Sequence, residues 1–262
     1  MKADHRATLT RRQIYSPGLF SVTFYCPDLA LSVAPGQFAM IDVPGRARPY
    51  LRRAYSVADA DAEEGSVEFL VKTIGPGTAA LEEMPEDSTV RLLGPLGNAF
   101  GLAGLSPDDR VVIVAGGIGA APFPALLRAM GRAGVAGDLY LGGRSSTELA
   151  IRQRFEGIVP GETVLATDDG SVGEKGFVTE ALARRLAAGA RYARLFACGP
   201  MPMFAALARV AGAAGLPAQF STEAEMGCGF GACLGCVIPG VEKPFIVSCS
   251  EGPILAPEKV QW

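Results

Sequence analysis

Val111-Val112-Ile113-Val114-Ala115-Gly116-Gly117-Ile118-Gly119-Ala120-Ala121-Pro122 is the stretch that decides how this chain is divided. Its first five residues are an unbroken apolar run, as in a strand of a parallel sheet buried on both faces. The glycines that follow predict a tight turn, with a helix beyond it around 123–132. A glycine turn between a buried strand and a helix lets the backbone approach a pyrophosphate, which then rests on the helix N-terminus. The spacing is GGxGxxP rather than GxGxxG, and proline near a helix start is good capping chemistry, so a plain strand–helix turn is the competing reading. The same glycines, with Pro122 and Pro124, make 111–127 a strand, a turn and a helix start rather than a membrane span.

Downstream, strands at 138–141, 163–167 and 194–198 alternate with helices at 176–188 and 202–214. That is the pattern of a doubly wound α/β domain. Upstream the rhythm differs. Residues 19–26 are rich in β-branched and aromatic types, 37–43 follow the turn Ala34-Pro35-Gly36, 67–73 alternate with period two, and 89–93 precede Gly94-Pro95-Leu96-Gly97. Short strands separated by Gly and Pro predict a small antiparallel β-barrel of Greek-key type. The fold class is therefore mixed: a barrel over 1–101, an α/β doubly wound nucleotide-binding domain over 102–215, and a small C-terminal segment over 216–262.

That last segment holds Cys228, Cys233, Cys236 and Cys249, spaced C-x4-C-x2-C-x12-C in a glycine-rich run. Four thiolates hold an iron–sulfur cluster, and this leading spacing is the plant-ferredoxin type that binds [2Fe–2S]. Zinc is an alternative, but its ligands usually come as two close pairs set well apart, and here three cysteines crowd into nine residues. Disulfides need an oxidising compartment, and residues 1–16 are polar and basic with no secretory signal. Unrelated buried thiols are the third alternative. Gly227, Gly229, Gly231 and Gly235 argue against it, because glycine at positive φ lets a backbone wrap a cluster closely. Cys26 reads as a buried strand thiol without a role.

The chain has 262 residues, 49% of them hydrophobic, and a formal net charge of −3. The length fits about two domains with cores of their own. The charge balance gives no basic surface for nucleic acid. A soluble, cytoplasmic setting with no membrane attachment is the expectation. His5 is the only histidine, so no Ser-His-Asp, Cys-His or HExxH constellation can be built, and no residue is assigned as catalytic acid, base or nucleophile.

Three shorter motifs remain. In Arg53-Ala54-Tyr55-Ser56, at the end of a barrel strand, an arginine can neutralise a diphosphate, a ring can stack on a flat ring system, and a hydroxyl can bond its edge. Gly75-Pro76-Gly77-Thr78, opening a helix over 78–83, offers free N–H groups and a hydroxyl to a phosphate, or is a plain N-cap. Cys198-Gly199-Pro200-Met201 follows the last α/β strand, where open sheets bind ligands. For Cys198 a small buried thiol is the bland reading.

The order Arg-x-Tyr-Ser, GGxGxxP, Cys-Gly-Pro resembles the ferredoxin–NADP reductase superfamily. With the late cysteines added, the chain is similar to electron-transfer subunits of the NAD-dependent (class 1B) dihydroorotate dehydrogenase family. Pro35-Gly36-Gln37-Phe38, Gly94-Pro95-Leu96-Gly97-Asn98-Ala99-Phe100, Thr167-Asp168-Asp169-Gly170-Ser171 and Cys249-Ser250-Glu251-Gly252-Pro253 carry the likeness over nearly the whole chain. One departure is Ser250-Glu251, where an Asp-Gly pair is expected; Glu251-Gly252 is a mild variant of it.

The resemblance implies FAD in the barrel, with Arg53 near the diphosphate, Tyr55 near the isoalloxazine, and Ala54, Ser56, Leu70, Val71, Lys72, Gly77 and Thr78 completing the site. It implies a nicotinamide nucleotide, NAD(H), at Gly116, Gly117, Gly119 and the Cys198-Gly199-Pro200 turn. It places a [2Fe–2S] cluster on Cys228, Cys233, Cys236 and Cys249. It further implies a flavin-containing catalytic subunit as partner, oxidising dihydroorotate in pyrimidine biosynthesis, in a heterotetramer of two of each chain. Physically, a nicotinamide trades two electrons together, a cluster trades one, and a flavin can do either. Two alternatives stand beside this. One is an NAD(P)H reductase subunit of another complex, serving a hydrogenase or a ferredoxin-linked oxidoreductase; four cysteines fit the transhydrogenase type poorly, since its cluster has an aspartate ligand. The other is a non-catalytic, zinc-stabilised binding module. After the strand at 138–141 comes Gly142-Gly143-Arg144, with no acidic residue for a ribose 2′-hydroxyl, and Arg144 suits a 2′-phosphate. NAD over NADP thus rests on the resemblance.

Overall fold

The structure, a computed structural model, describes residues 2–43 and 51–262. Strands β1 (Ala3–Ser16), β2 (Leu19–Tyr25), β3 (Phe38–Asp42), β4 (Arg53–Asp61), β5 (Ser66–Lys72) and β6 (Thr89–Leu96) close into a barrel in the order β1-β2-β5-β4-β3-β6. Every pairing in it is antiparallel. Period-two alternation sends Phe20, Val22 and Phe24 of β2 and Val67, Phe69 and Val71 of β5 into one core with Leu9, Ile41 and Leu92. The helix α1 (Pro27–Ser32) adds Leu29 to that core, and α2 (Pro76–Glu82) adds Leu81. Strand β1 is far longer than its polar sequence suggests. Only Ala7, Leu9 and Tyr15 of its side chains are buried; its extended form comes from ladders to β2 and β6 at once.

The second layer system agrees with the predicted alternation of strand and helix. Strands β7 (Arg110–Gly116), β8 (Ala136–Gly143), β9 (Thr163–Thr167), β10 (Glu174–Lys175), β11 (Arg194–Cys198) and β12 (Ala218–Ser221) are parallel. Between them run α3 (Phe123–Ala133), α4 (Val178–Ala187) and α5 (Met201–Ala214). Strand β7 is buried on both faces: Val111, Ile113 and Ala115 join the α3 core, and Val112 and Val114 join the α4–α5 core. The α3 core continues through the barrel wall, taking in Tyr15, Leu19, Ala58, Leu70 and Phe100.

Past β12 the chain passes through the cysteine loop, the hairpin β13 (Val237–Pro239) and β14 (Phe245–Val247), and the single turn α6 (Ser248–Glu251). It then re-enters the sheet as β15 (Ile254–Leu255), antiparallel to β12, giving the order β10-β9-β8-β7-β11-β12-β15. Asn98 fastens this return to the barrel. Its N–H donates to Gly252 O at 2.7 Å, its Nδ2 donates to Ile254 O at 2.8 Å, and its Oδ1 accepts from Ile254 N–H at 2.8 Å. Gln37 closes the same joint by donating to Gly97 O at 2.9 Å.

A second tie between barrel and sheet is ionic. Arg154 donates to Asp59 at 2.6 Å and to Glu68 at 2.8 Å, and Arg128 donates to Asp59 at 2.5 Å. Arg154, Asp59 and Glu68 are nearly buried. Removing the cation from such a pair leaves uncompensated buried charge. Arg154→Ala is therefore expected to destabilise the protein by about 3 kcal/mol, read as a lowered urea midpoint at unchanged slope.

Candidate functional site

The carboxyl ends of β7, β8, β9 and β11 open into a cleft of about 830 Å³. Gly116, Gly117, Gly119, Gly143, Gly199 and Pro200 line it, together with Lys72 from the barrel. The two glycine turns interlock. A Cβ at Gly119 would collide with the Cys198 carbonyl, and one at Gly116 would lie 2.8 Å from Pro200 Cδ. Gly117 differs: its φ is +55° and only Glu148 lies near it, so it faces the open cleft. The glycines predicted to admit a pyrophosphate therefore divide their work. Two of them seat the Cys198-Gly199-Pro200 turn, and one presents backbone to the cleft. Cys198 is buried, and burial lifts its thiol well above the ordinary range.

Glu148 and Glu223 are among the cleft carboxylates that the sequence does not single out. Glu148 accepts from the Arg144 guanidinium at 2.8 Å and from the Arg144 N–H at 2.8 Å, and it pairs with Lys72. Burial opposes its ionisation, but the bonds from Arg144 and Lys72 outweigh that, and its pKa falls to about 2. Glu223, just past β12, also lines the cleft, and burial of its carboxyl pushes its pKa upward. Spacing could have flagged Glu148, four residues after Arg144. Position at a strand's carboxyl end could have flagged Glu223.

In the barrel, Arg53 opens β4, so the motif begins a strand rather than ending one; its guanidinium donates to Leu51 O at 2.6 Å while remaining exposed. The Tyr55 ring meets Phe69 edge-on at 6.5 Å. Its hydroxyl is buried with no hydrogen-bond partner, and burial raises its pKa to about 12. An orphaned phenol in this position fits a polar edge that the protein alone does not supply. Ala54 and Ser56 pair across the ladder with Met40 and Phe38. The Leu70 and Val71 side chains are taken up by the two cores, leaving backbone as what they present. The Thr78 hydroxyl is engaged in the cap: it accepts from Ile74 N–H at 2.9 Å and Gly75 N–H at 3.1 Å. Gly77 is buried in the same first turn. Lys72 points to the cleft and Glu148.

The four late cysteines gather as two pairs. Cys233 N–H approaches Cys228 Sγ at 3.4 Å, and Cys249 N–H approaches Cys236 Sγ at 3.4 Å. Burial works against a Cys228 thiolate, but the N–H groups of Cys233, Phe230 and Ala232 outweigh it and bring its pKa to about 6. Burial and the neighbouring Cys236 hold Cys249 high. Among the described residues no three ligand groups converge to hold a single ion. The two thiol pairs can supply the four thiolates that a two-iron cluster takes. Positive φ occurs at Gly229 (+82°), Gly231 (+89°) and Leu234 (+54°), not at Gly227 or Gly235. A Cβ at Gly229 would lie 2.6 Å from Met40 Cγ, so this glycine is set by contact with the barrel. Cys236 and Cys249 in turn share a core with Phe38, Met40, Leu96 and Ala54.

Known proteins carry the same three parts in the same order. An oxidoreductase FAD-binding domain family matches residues 6–100, an oxidoreductase NAD-binding domain matches 113–209, and the iron–sulfur cluster binding domain of dihydroorotate dehydrogenase B matches 223–261. The electron transfer subunit of dihydroorotate dehydrogenase B (NAD(+)) from Geobacillus kaustophilus is 38% identical over 97% of each chain. Its counterpart from Bacillus caldolyticus is 37% identical over the same shares. This chain belongs to the family of dihydroorotate dehydrogenase B electron transfer subunits. A solved NADH-dependent reduced ferredoxin–NADP oxidoreductase superposes with a TM-score of 0.86 at 27% identity, over 98% of this chain and 90% of that one.

Within this dihydroorotate dehydrogenase B family member, the interlocked turns are the most constrained part of the cleft. Gly119→Ala forces the turn after β7 away from the Cys198 carbonyl, an overpacking that costs about 2 kcal/mol. The expected result is a thermal midpoint several degrees lower, with Gly117→Ala affecting nucleotide titration more than Gly119→Ala does relative to its effect on stability.

Proposed function

We propose that the chain carries electrons between a flavin-containing dihydroorotate dehydrogenase catalytic subunit and NAD⁺, with FAD and a [2Fe–2S] cluster as its resident carriers, in pyrimidine biosynthesis. The observation that carries this reading is the shared core of Cys236, Cys249 and Ala54. Ala54 lies inside the Arg-Ala-Tyr-Ser motif, so the thiols and the flavin motif occupy one strand wall. When bound, the flavin supplies exchange between paired and single electrons, and the cluster supplies single-electron transfer.

The chain's own residues have these parts. Arg53 meets the diphosphate of FAD, Tyr55 and Ser56 meet the ring system, and Ala54 backs it. The backbone of Leu70 and Val71 and the first-turn N–H groups at Gly77 and Thr78 complete the site. Lys72 stands between flavin and nucleotide. Gly116, Gly117 and Gly119 with Cys198, Gly199 and Pro200 receive NAD(H). Cys228, Cys233, Cys236 and Cys249 ligate the cluster. The chain divides at 1–101, 102–215 and 216–262, the last part being woven into the sheet by β12 and β15. All six cysteines are free thiols, which suits the cytoplasm. Among the described residues no helix is long and apolar enough to cross a membrane.

Large apolar side chains crowd the surface around the thiols: Leu234 is 60% exposed, Phe245 59% and Phe230 47%. Such a patch suits a protein partner. The catalytic subunit docks there, in a complex of two of each chain. A second reading, a reductase subunit serving a ferredoxin-linked complex, draws on the likeness to the ferredoxin–NADP oxidoreductase. Tagged protein purified from its native host separates the two: a flavoprotein dihydroorotate dehydrogenase is expected to travel with it, and recovery of a ferredoxin-linked subunit in its place would favour the second. The preparation is expected to be yellow-brown. Cys236→Ser is expected to keep NADH-to-dye reduction through the flavin while delivery to or from the partner falls by at least tenfold; undiminished delivery would refute the cluster's role.

A further inference from the structure

The sequence leaves the choice between NAD and NADP unmade, because Arg144 stands where an acidic residue would accept the ribose 2′-hydroxyl. An arginine there is the residue that takes a 2′-phosphate. The structure changes what Arg144 can do. Its Nε and Nη2 both donate to Glu148 Oε1, at 3.1 and 2.8 Å, and its N–H donates to Glu148 Oε2 at 2.8 Å. The Lys72 ammonium holds the same carboxylate from the barrel side. Asp168, at the carboxyl end of β9, lines the cleft beside them. Lys72 and Arg144 therefore share one carboxylate, with Asp168 nearby, and the Nε–Nη2 edge of the guanidinium is already engaged by Glu148.

The pair is asymmetric. The Arg144 side chain is 75% exposed, that of Glu148 only 17%. The carboxylate is the fixed partner, held by four donors, and the guanidinium lies over it toward solvent. A phosphate arriving at Arg144 would come within a few ångströms of a fixed anion that it cannot displace without also releasing Lys72.

We infer that Glu148 makes this cleft selective for the dinucleotide lacking a 2′-phosphate, by occupying the Arg144 guanidinium that would otherwise bind that phosphate. This rests on the reading of the cleft as a nicotinamide dinucleotide site. Glu148 is here a specificity residue: like-charge exclusion rejects the wrong ligand, in addition to any contact that favours the right one. A purely structural Glu148, tying barrel to sheet through Lys72, would change the binding of both nucleotides alike.

The test is calorimetric titration of the oxidised, cofactor-loaded protein with NAD⁺ and with NADP⁺. The native protein is expected to favour NAD⁺. In Glu148→Gln the ratio of NADP⁺ to NAD⁺ affinity is expected to rise on the order of tenfold, because the freed guanidinium can take a phosphate. Adding Arg144→Ala to that variant is expected to abolish the gain. A ratio unchanged within twofold in Glu148→Gln would overturn the inference, as would a gain that persists without Arg144. Failure of either nucleotide to bind any of these proteins would overturn the reading of the cleft itself, and the inference with it.

Discussion

The packing of Cys236 and Cys249 against Phe38, Met40, Ala54 and Leu96 is the contact on which the rest of the molecule depends. It joins a loop near the end of the chain to three strands near its start. Because side chains alternate across a strand, Ala54 meets the thiols while the Tyr55 ring turns toward Phe69 and the barrel core. One strand thus packs toward the late cysteines on one face and toward the barrel core on the other. A shift of one residue in the β3–β4 register would exchange those faces. Gly229 lets the loop come this close, since any side chain there would strike Met40.

The same economy of space governs the nucleotide cleft. Gly119 and Gly116 are small because the Cys198-Gly199-Pro200 turn packs on them, and that packing fixes the shape into which Gly117 presents its backbone. The charges divide by location. Arg154, Asp59 and Glu68 lie buried between barrel and sheet and set their relative placement. Lys72, Arg144 and Glu148 lie at the mouth of the cleft, where a ligand can reach them. Asn98 and Gln37 complete the frame through bonds to backbone that hold the C-terminal return against the barrel.

Much of this was legible in the sequence, and the gaps have physical reasons. The run 111–115 announced a strand buried twice over, and the structure has it so. Four of the six barrel strands were legible from their turns; β1 was not, because its polar residues carry no apolar period over most of its length, and β4 begins at Arg53, where the motif reads as a strand's end. Pro35-Gly36-Gln37-Phe38, Gly94-Pro95-Leu96-Gly97-Asn98-Ala99-Phe100 and Cys249-Ser250-Glu251-Gly252-Pro253 were visible as phrases, but that they form one joint depends on contacts more than 150 positions apart, such as Asn98 to Ile254. The cysteine spacing was local and therefore readable. The positive φ of Leu234 was not, because nothing in a leucine signals it. Glu148 escaped notice because its meaning comes from Lys72, a residue 76 positions earlier.

Reductive titration of the cofactor-loaded chain with NADH, followed together by visible absorbance and electron paramagnetic resonance, tests most directly whether one strand wall unites a two-electron and a one-electron carrier. About three electrons per chain are expected, two bleaching the flavin and one appearing as the signal of a reduced two-iron cluster. Uptake that stops at two electrons with no such signal, or a cluster that NADH cannot reach once the flavin is reduced, would contradict that union.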